Sequence, residues 1–221
     1  MVRTDYPLHD WVYQQRKGQG QHEGWDSNET FESVNALVRE VMAWPEIPPT
    51  GRLLEIGCGA ANHLLGLAPR FELAGIDISP TAIAWGTEHA IAANVSVDLR
   101  QGDVRQLPWD DEAFDVVRDG HLLHCIIGED RATVLGEARR VLQPGGVLVV
   151  FTMCGDKGLP EDQWDPATRL CMREGVATRY VGLREDIETE VEAAGFEAAR
   201  SEVFVDEDGT DELVMVARKP E

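Results

Sequence analysis

Residues 52–63 read Arg52-Leu53-Leu54-Glu55-Ile56-Gly57-Cys58-Gly59-Ala60-Ala61-Asn62-His63. A short apolar run ends in an acid and in two glycines one residue apart, and a helix-like segment follows. This is the pattern of a strand, a tight turn and a helix start. Glycine at such a turn lets the backbone approach a ligand that a Cβ would hold off. The stretch predicts a ligand at the carboxyl end of this strand.

Working outward, strand and helix signals alternate. Strand patterns cover 52–57, 72–78, 95–101, 114–119 and 147–153. Helix patterns cover about 61–70, 80–93 and 129–141, the second opened by Ser79 as N-cap and Pro80 at the first helical position. Gln143-Pro144-Gly145-Gly146 is a stop signal. A further helix runs from about 184 to Ala194, and 196–205 with 211–218 read as a β-hairpin. Upstream, 5–17 predicts a short helix carrying Trp11 and Tyr13. Phe31, Val34, Leu37, Val38, Val41 and Met42 recur with a helical period in the next one. The rhythm breaks at 154–183, which reads as an insertion over the site with an amphipathic piece around 167–174. Alternation of this kind predicts an α/β fold: a doubly wound, mostly parallel seven-stranded sheet, helices on both faces and a C-terminal antiparallel β-hairpin. The expected organisation is one domain over 1–221, with 1–50 as a helical lid or cap and 154–183 as a substrate cover on the 51–221 core.

The chain has 221 residues and a formal net charge of −20. Such a surface argues against sequence-independent binding to nucleic acid or to an anionic membrane. Cys58, Cys125, Cys154 and Cys171 show neither zinc spacing nor a secretory disulfide framework, and no metal site is expected. Residues 1–7 lack the apolar region of a signal peptide, and no apolar run is long enough to span a bilayer. The expectation is a cytoplasmic protein with free thiols, a monomer or a homodimer.

The chemistry is written at the strand ends. Glu55 and the Gly57-Cys58-Gly59 turn close the first strand. Asp77 closes the second, 20 residues after Gly57, where an acid can accept both hydroxyls of a ribose. Asp103 follows the third strand beside Val104, a pairing suited to an exocyclic amine and a ring face. Asp119 closes the fourth. The site is shaped for an adenosine.

In order and spacing, these segments resemble the class I, Rossmann-like, S-adenosylmethionine-dependent methyltransferases of small-molecule type. The matching pieces are 54–59, 75–79, 101–104, Phe114-Asp115-Val116-Val117 through His124, and 141–146. The resemblance implies that Glu55, Gly57, Cys58 and Gly59 line the methionine part of S-adenosylmethionine. It places Asp77 on the ribose with Ile78 against the adenine, Asp103 and Val104 at the adenine, and Asp119 near the methionine amino group or the reacting centre. Ala61 stands where the family often has a third glycine. Trp25 resembles a tryptophan ahead of the first core helix in thiopurine-, thiol- and tellurite-type relatives, where an indole face attracts a sulfonium. The implied reaction is methyl transfer to O, N or S of a small molecule, leaving S-adenosylhomocysteine.

A base helps if the nucleophile starts protonated. His121 and His124 follow the fourth strand, His121 read as facing the substrate and His124 as packed under the next helix. His9, His22 and His89 read as surface residues, and Arg173 and Arg179 as partners for an acidic group on the acceptor. Two other readings stand beside this one. A nicotinamide-dependent oxidoreductase would use Asp77 in the same way but wants glycine at Asn62. A cofactor-binding partner or sensor without turnover would share the whole cofactor site.

Overall fold

The computed structural model describes residues 3–19, 31–159, 162–206 and 210–221. A seven-stranded sheet is built from β1 (Gly51–Ile56), β2 (Phe71–Asp77), β3 (Val97–Gln101), β4 (Phe114–Asp119), β5 (Leu142–Cys154), β9 (Glu197–Phe204) and β10 (Asp211–Arg218), in the order β3-β2-β1-β4-β5-β10-β9. Neighbours are parallel from β3 to β5, whereas β10 runs antiparallel to both β5 and β9. The predicted hairpin is thus present, with its second strand inserted against the parallel sheet. The strand order reverses between β1 and β4, which opens a crevice beyond their carboxyl ends.

Alternation along the central strands feeds two cores. Leu54, Ile56, Val117, Leu148 and Val150 face α5 (Asp130–Val141) and α6 (Arg184–Ala193), through Val134, Ala138 and Val191. Leu53, Val116, Val149 and Phe151 face α2 (Phe31–Val41) and α3 (Asn62–Leu65), through Val38, Val41 and Leu64. Helix α2 is therefore a core helix rather than part of a lid. Helix α1 (Leu8–Gly18) lies over the crevice, docked on α4 (Pro80–Ala93).

Two local expectations change. The helix expected over 61–70 is the single turn α3, because Gly66 follows it and Pro69 disfavours a helical residue before it. The amphipathic piece at 167–174 is β strand and turn. Residues 163–180 form a three-stranded antiparallel sheet of β6 (Gln163–Asp165), β7 (Leu170–Arg173) and β8 (Val176–Tyr180). Its Leu170, Ala177, Met172 and Tyr180 pack with Ile127 in a small core of their own. Among the described residues no helix is long and apolar enough to cross a membrane.

Candidate active site

A cavity of about 270 Å³ opens at the carboxyl ends of β1, β2 and β4. The loop after β1 forms its floor. Gly57 has φ +69° and Gly59 φ +51°, both in the left-handed region. A Cβ on Gly57 would come within 2.7 Å of Leu122, and one on Gly59 within 2.5 Å of the Tyr13 hydroxyl. Gly57 is therefore required by conformation and by space, and Gly59 by conformation, with the Tyr13 side chain the part that would have to yield. Ala61, at the family's third glycine, also takes a left-handed conformation, with φ +61°.

Asp77 ties this floor to the second strand. One carboxylate oxygen accepts from Gly59 N at 2.9 Å and the other from Ser79 N at 2.9 Å. Burial nonetheless pushes its pKa up, against those two hydrogen bonds. Ile78 and Val104 line the same end of the cavity, as the adenosine reading expects. Asp103 also lines it, but its carboxylate is gripped by the Arg105 guanidinium at 2.6–3.0 Å, and Arg105 is further paired with Asp130. The Asp103 carboxylate is thus already half engaged, a partner that the sequence reading lacked.

The middle of the wall holds a buried ion pair. Glu55 and Arg118 are register partners across β1 and β4, and Arg118 Nη1 donates to Glu55 Oε2. The guanidinium lies 5.0 Å from the Phe151 ring centroid. Arg118 is fully buried, and its Nε and Nη2 have no hydrogen-bond partner. Leaving such donors unmet in a protein interior is costly unless a ligand meets them. The signal for Arg118 was available: it shares a strand face with Val116, so an alternation reading puts it inside.

Asp119 does a different job from the one expected. It is buried, it is absent from the cavity wall, and its oxygens accept from Leu122 N at 2.6 Å and Leu123 N at 3.2 Å. It caps the turn entering the short 3-10 segment Leu123–Cys125. Burial pushes its pKa up to about 6, against those N–H bonds and the charges of His121 and Arg118. That turn presents His121, His124 and Cys125 to the cavity. His121 Nε2 meets Glu212 Oε1 of β10. His124 is buried, lines the cavity and accepts from Met153 N at 3.4 Å, and burial lowers its pKa. Cys125 is not shifted upward as burial alone would do; the charges of Arg179 and His124 lower its pKa instead.

Residues 3–19 cross the cavity as a strap. Arg3 O accepts from Ala177 N of β8, and the Tyr6 hydroxyl donates to Asp130 at 2.9 Å. Asp10 accepts from the Ser79 hydroxyl at 2.6 Å and from Thr81 N at 3.0 Å, and Lys17 pairs with Glu88. Tyr6, His9 and Tyr13 line the cavity, so His9 is not the surface residue that was expected. Their 3–4 residue spacing was a legible sign of one helical face. His89 is half-buried and holds Ala60 O at 3.0 Å, again unlike a surface residue. Met153 of β5 and, from the predicted cover, Arg179 reach the cavity, whereas Arg173 is an outer residue paired with Asp162. Trp25 and His22 lie outside the described residues. No group of three or more potential metal ligands occurs among the described residues.

A family model described as a methyltransferase domain matches residues 54–150. The demethylmenaquinone methyltransferase of Bacillus cytotoxicus is 32% identical over 125 residues, covering 54% of this chain and 52% of that protein. The chain thus spans about half the length of that relative. The 27-O-demethylrifamycin SV methyltransferase of Amycolatopsis mediterranei is 29% identical over 251 residues, covering 92% of this chain and 91% of that protein. Among solved structures, the [4+2]-cyclase SpnF superposes with a TM-score of 0.76 over 100% of this chain and 98% of its own, at 20% identity, a likeness of fold alone. Residues 54–150 thus match a methyltransferase domain, and the chain resembles the class I S-adenosylmethionine-dependent methyltransferases.

Proposed function

We propose that this chain transfers a methyl group from S-adenosylmethionine to O, N or S of a small molecule. The observation that carries the reading is the Glu55–Arg118 pair in the cavity wall, with two guanidinium N–H groups unmet. A carboxylate beside a guanidinium with free donors complements an amino-acid zwitterion: Glu55 suits the ammonium and Arg118 the carboxylate. Asp77, Ile78, Asp103 and Val104 then hold the adenosine, and the Gly57-Cys58-Gly59 loop supports the chain between. Bound there, the cofactor supplies a methyl carbon activated by a sulfonium.

The protein's part is alignment, dryness and a proton acceptor. Tyr6, His9 and Tyr13 on the strap exclude water from above. Met153, Ile126 and Leu122 line the cavity together with His121, and in this reading His121 takes a proton from the acceptor. A cavity of about 270 Å³ and a net charge of −20 favour a small acceptor over a nucleic acid. Asp119 serves the site by fixing the His121–Cys125 turn rather than by touching the cofactor.

Calorimetry with S-adenosylmethionine and with NADH tests the cofactor, and an acceptor panel read by S-adenosylhomocysteine release tests turnover. Binding of NADH in place of S-adenosylmethionine would return the chain to the oxidoreductase reading. S-adenosylmethionine binding without product across a broad panel would favour a non-catalytic partner.

A further inference from the structure

His121 holds an uncommon backbone conformation for a purpose visible in its surroundings. Its φ is +61°, a left-handed value that few non-glycine residues adopt, and one that collects at functional positions. Gly120 before it has no room for a side chain, since a Cβ there would lie 2.6 Å from Gly57 O. The chain is thus forced through a narrow corner at the end of β4. It leaves the His121 ring 5.4 Å from Phe151, with Nε2 on the Glu212 carboxylate. Glu212 is half-buried and sits opposite Met153, another cavity residue, in the β5–β10 register. The residues that follow it on β10, 213–217, are buried and apolar.

We propose that Glu212 is the positioning residue of the proposed methyl transfer, holding His121 in the tautomer with its proton on Nε2 so that Nδ1 accepts the proton of the acceptor. The inference rests on the methyltransferase reading of the site. In the step, the acceptor's X–H proton passes to His121 Nδ1, and the X–H electron pair forms the new bond to the methyl carbon. The electron pair of the broken carbon–sulfur bond stays on sulfur. The imidazolium formed is stabilised by Glu212, which remains a carboxylate.

The groups facing His121 favour this role. Burial alone would lower its pKa, but the close contact and charge of Glu212 outweigh burial, Asp119 adds to them and Arg118 opposes, so the net direction is upward. His124, on the adjoining turn, faces it as a histidine with a lowered pKa. Of the two histidines, His121 is therefore the stronger base.

The test uses the full chain labelled with ¹⁵N and ¹³C in histidine, without ligand. In the wild type, His121 should titrate with a midpoint above 6.5, and its neutral form should carry the proton on Nε2. Glu212→Gln should lower that midpoint by about one unit, with Glu212→Asp in between. For an acceptor identified by the panel, the acid limb of kcat/KM should move down by the same amount, and kcat should fall about tenfold. The Kd for S-adenosylmethionine should stay within about twofold. A neutral wild-type His121 protonated on Nδ1 overturns the proposal, and this measurement needs no variant. An unmoved midpoint in Glu212→Gln, or an unmoved acid limb, overturns it equally. Failure to bind S-adenosylmethionine would instead overturn the functional reading, while the tautomer still judges the pair.

Discussion

Arg118→Met is the sharpest test of how the cofactor's amino-acid end is held. The wild-type guanidinium offers two donors without protein partners, Nε and Nη2. Charge-assisted hydrogen bonds of this kind contribute about 1.5–3 kcal/mol each. Taking the lower value for both gives about 3 kcal/mol, roughly a hundredfold in affinity. The suitable ligand pair is S-adenosylmethionine and its decarboxylated form, which share the adenosine, sulfonium and ammonium and differ in the carboxylate alone. Calorimetry on the wild type should show a preference of about a hundredfold for the carboxylated ligand, and Arg118→Met should reduce it to within about threefold. The substitution also strands Glu55, and breaking a buried pair costs about 3–5 kcal/mol of stability. Glu55→Gln in the same background removes the stranded charge. Because both ligands carry the ammonium, their affinity ratio still reports on the carboxylate. Equal weakening of both ligands by Arg118→Met would mean that Arg118 only supports the fold. Equal affinity of the wild type for both would remove the guanidinium from the site altogether.

Four further outcomes are expected. Asp119 is bound by its proton more tightly in the folded chain, with a pKa of about 6 against about 3.9 unfolded, so stability falls as pH rises through that window, by about 3 kcal/mol in all. Asp119→Asn should therefore gain on the wild type between pH 4 and pH 7 in urea titrations, and parallel curves would refute the assignment. Cys125, with its pKa lowered, should react with iodoacetamide ahead of Cys58 and Cys154, whose pKa values are raised by burial, the latter to about 11; peptide mass spectrometry should also show protection by S-adenosylhomocysteine. Gly59→Ala should push Tyr13 and α1 outward and speed tryptic cleavage at Arg16 and Lys17, about tenfold for a loss of about 1.4 kcal/mol; unchanged cleavage would detach the strap from the loop. His121→Ala should lower kcat about a hundredfold with S-adenosylmethionine affinity preserved, and full turnover would remove His121 as the base.

Much of this architecture was legible because backbone geometry writes itself into sequence at short range. The Gly57-Cys58-Gly59 turn, the Ser79-Pro80 cap and the acids at 55, 77, 103 and 119 are local signals, and each lies at the strand end where it was placed. What escaped was set by pairing across the sheet or by contacts distant in sequence. Asp103 looked free because Arg105 next to it carries no mark of folding back onto it. Asp119 looked like a ligand contact because an acid at a strand end serves a turn or a ligand equally well. Glu212 and His121 are 91 positions apart, and only the insertion of β10 against β5 brings them together. The 163–180 sheet was hidden for a different reason: its strands are short, and their apolar residues feed a satellite core with no clean period.

The same register explains why the charged residues gather where they do. On the sheet face that packs against α2 and α3, Leu53, Val116 and Val147 form an apolar layer. Advancing two residues toward the carboxyl end keeps the same face and reaches Glu55 and Arg118, level with Val149 and Val216. The next step on β5 and β10 pairs Phe151 with Val214, and the one after it pairs Met153 with Glu212. The Phe151 ring lies near both Arg118 and His121. The apolar core thus ends earlier on β1 and β4 than on β5 and β10, and the cavity begins along that diagonal. Its charges are brought together by strand pairing rather than by sequence, with a carboxylate at each end and the guanidinium and imidazole between them. In this arrangement one carboxylate faces the cofactor's ammonium through the β1–β4 pair, and the other tunes a base through the β5–β10 pair. The departure that makes it possible is Arg118, a buried cation that a core strand accepts only because Glu55 is its register partner.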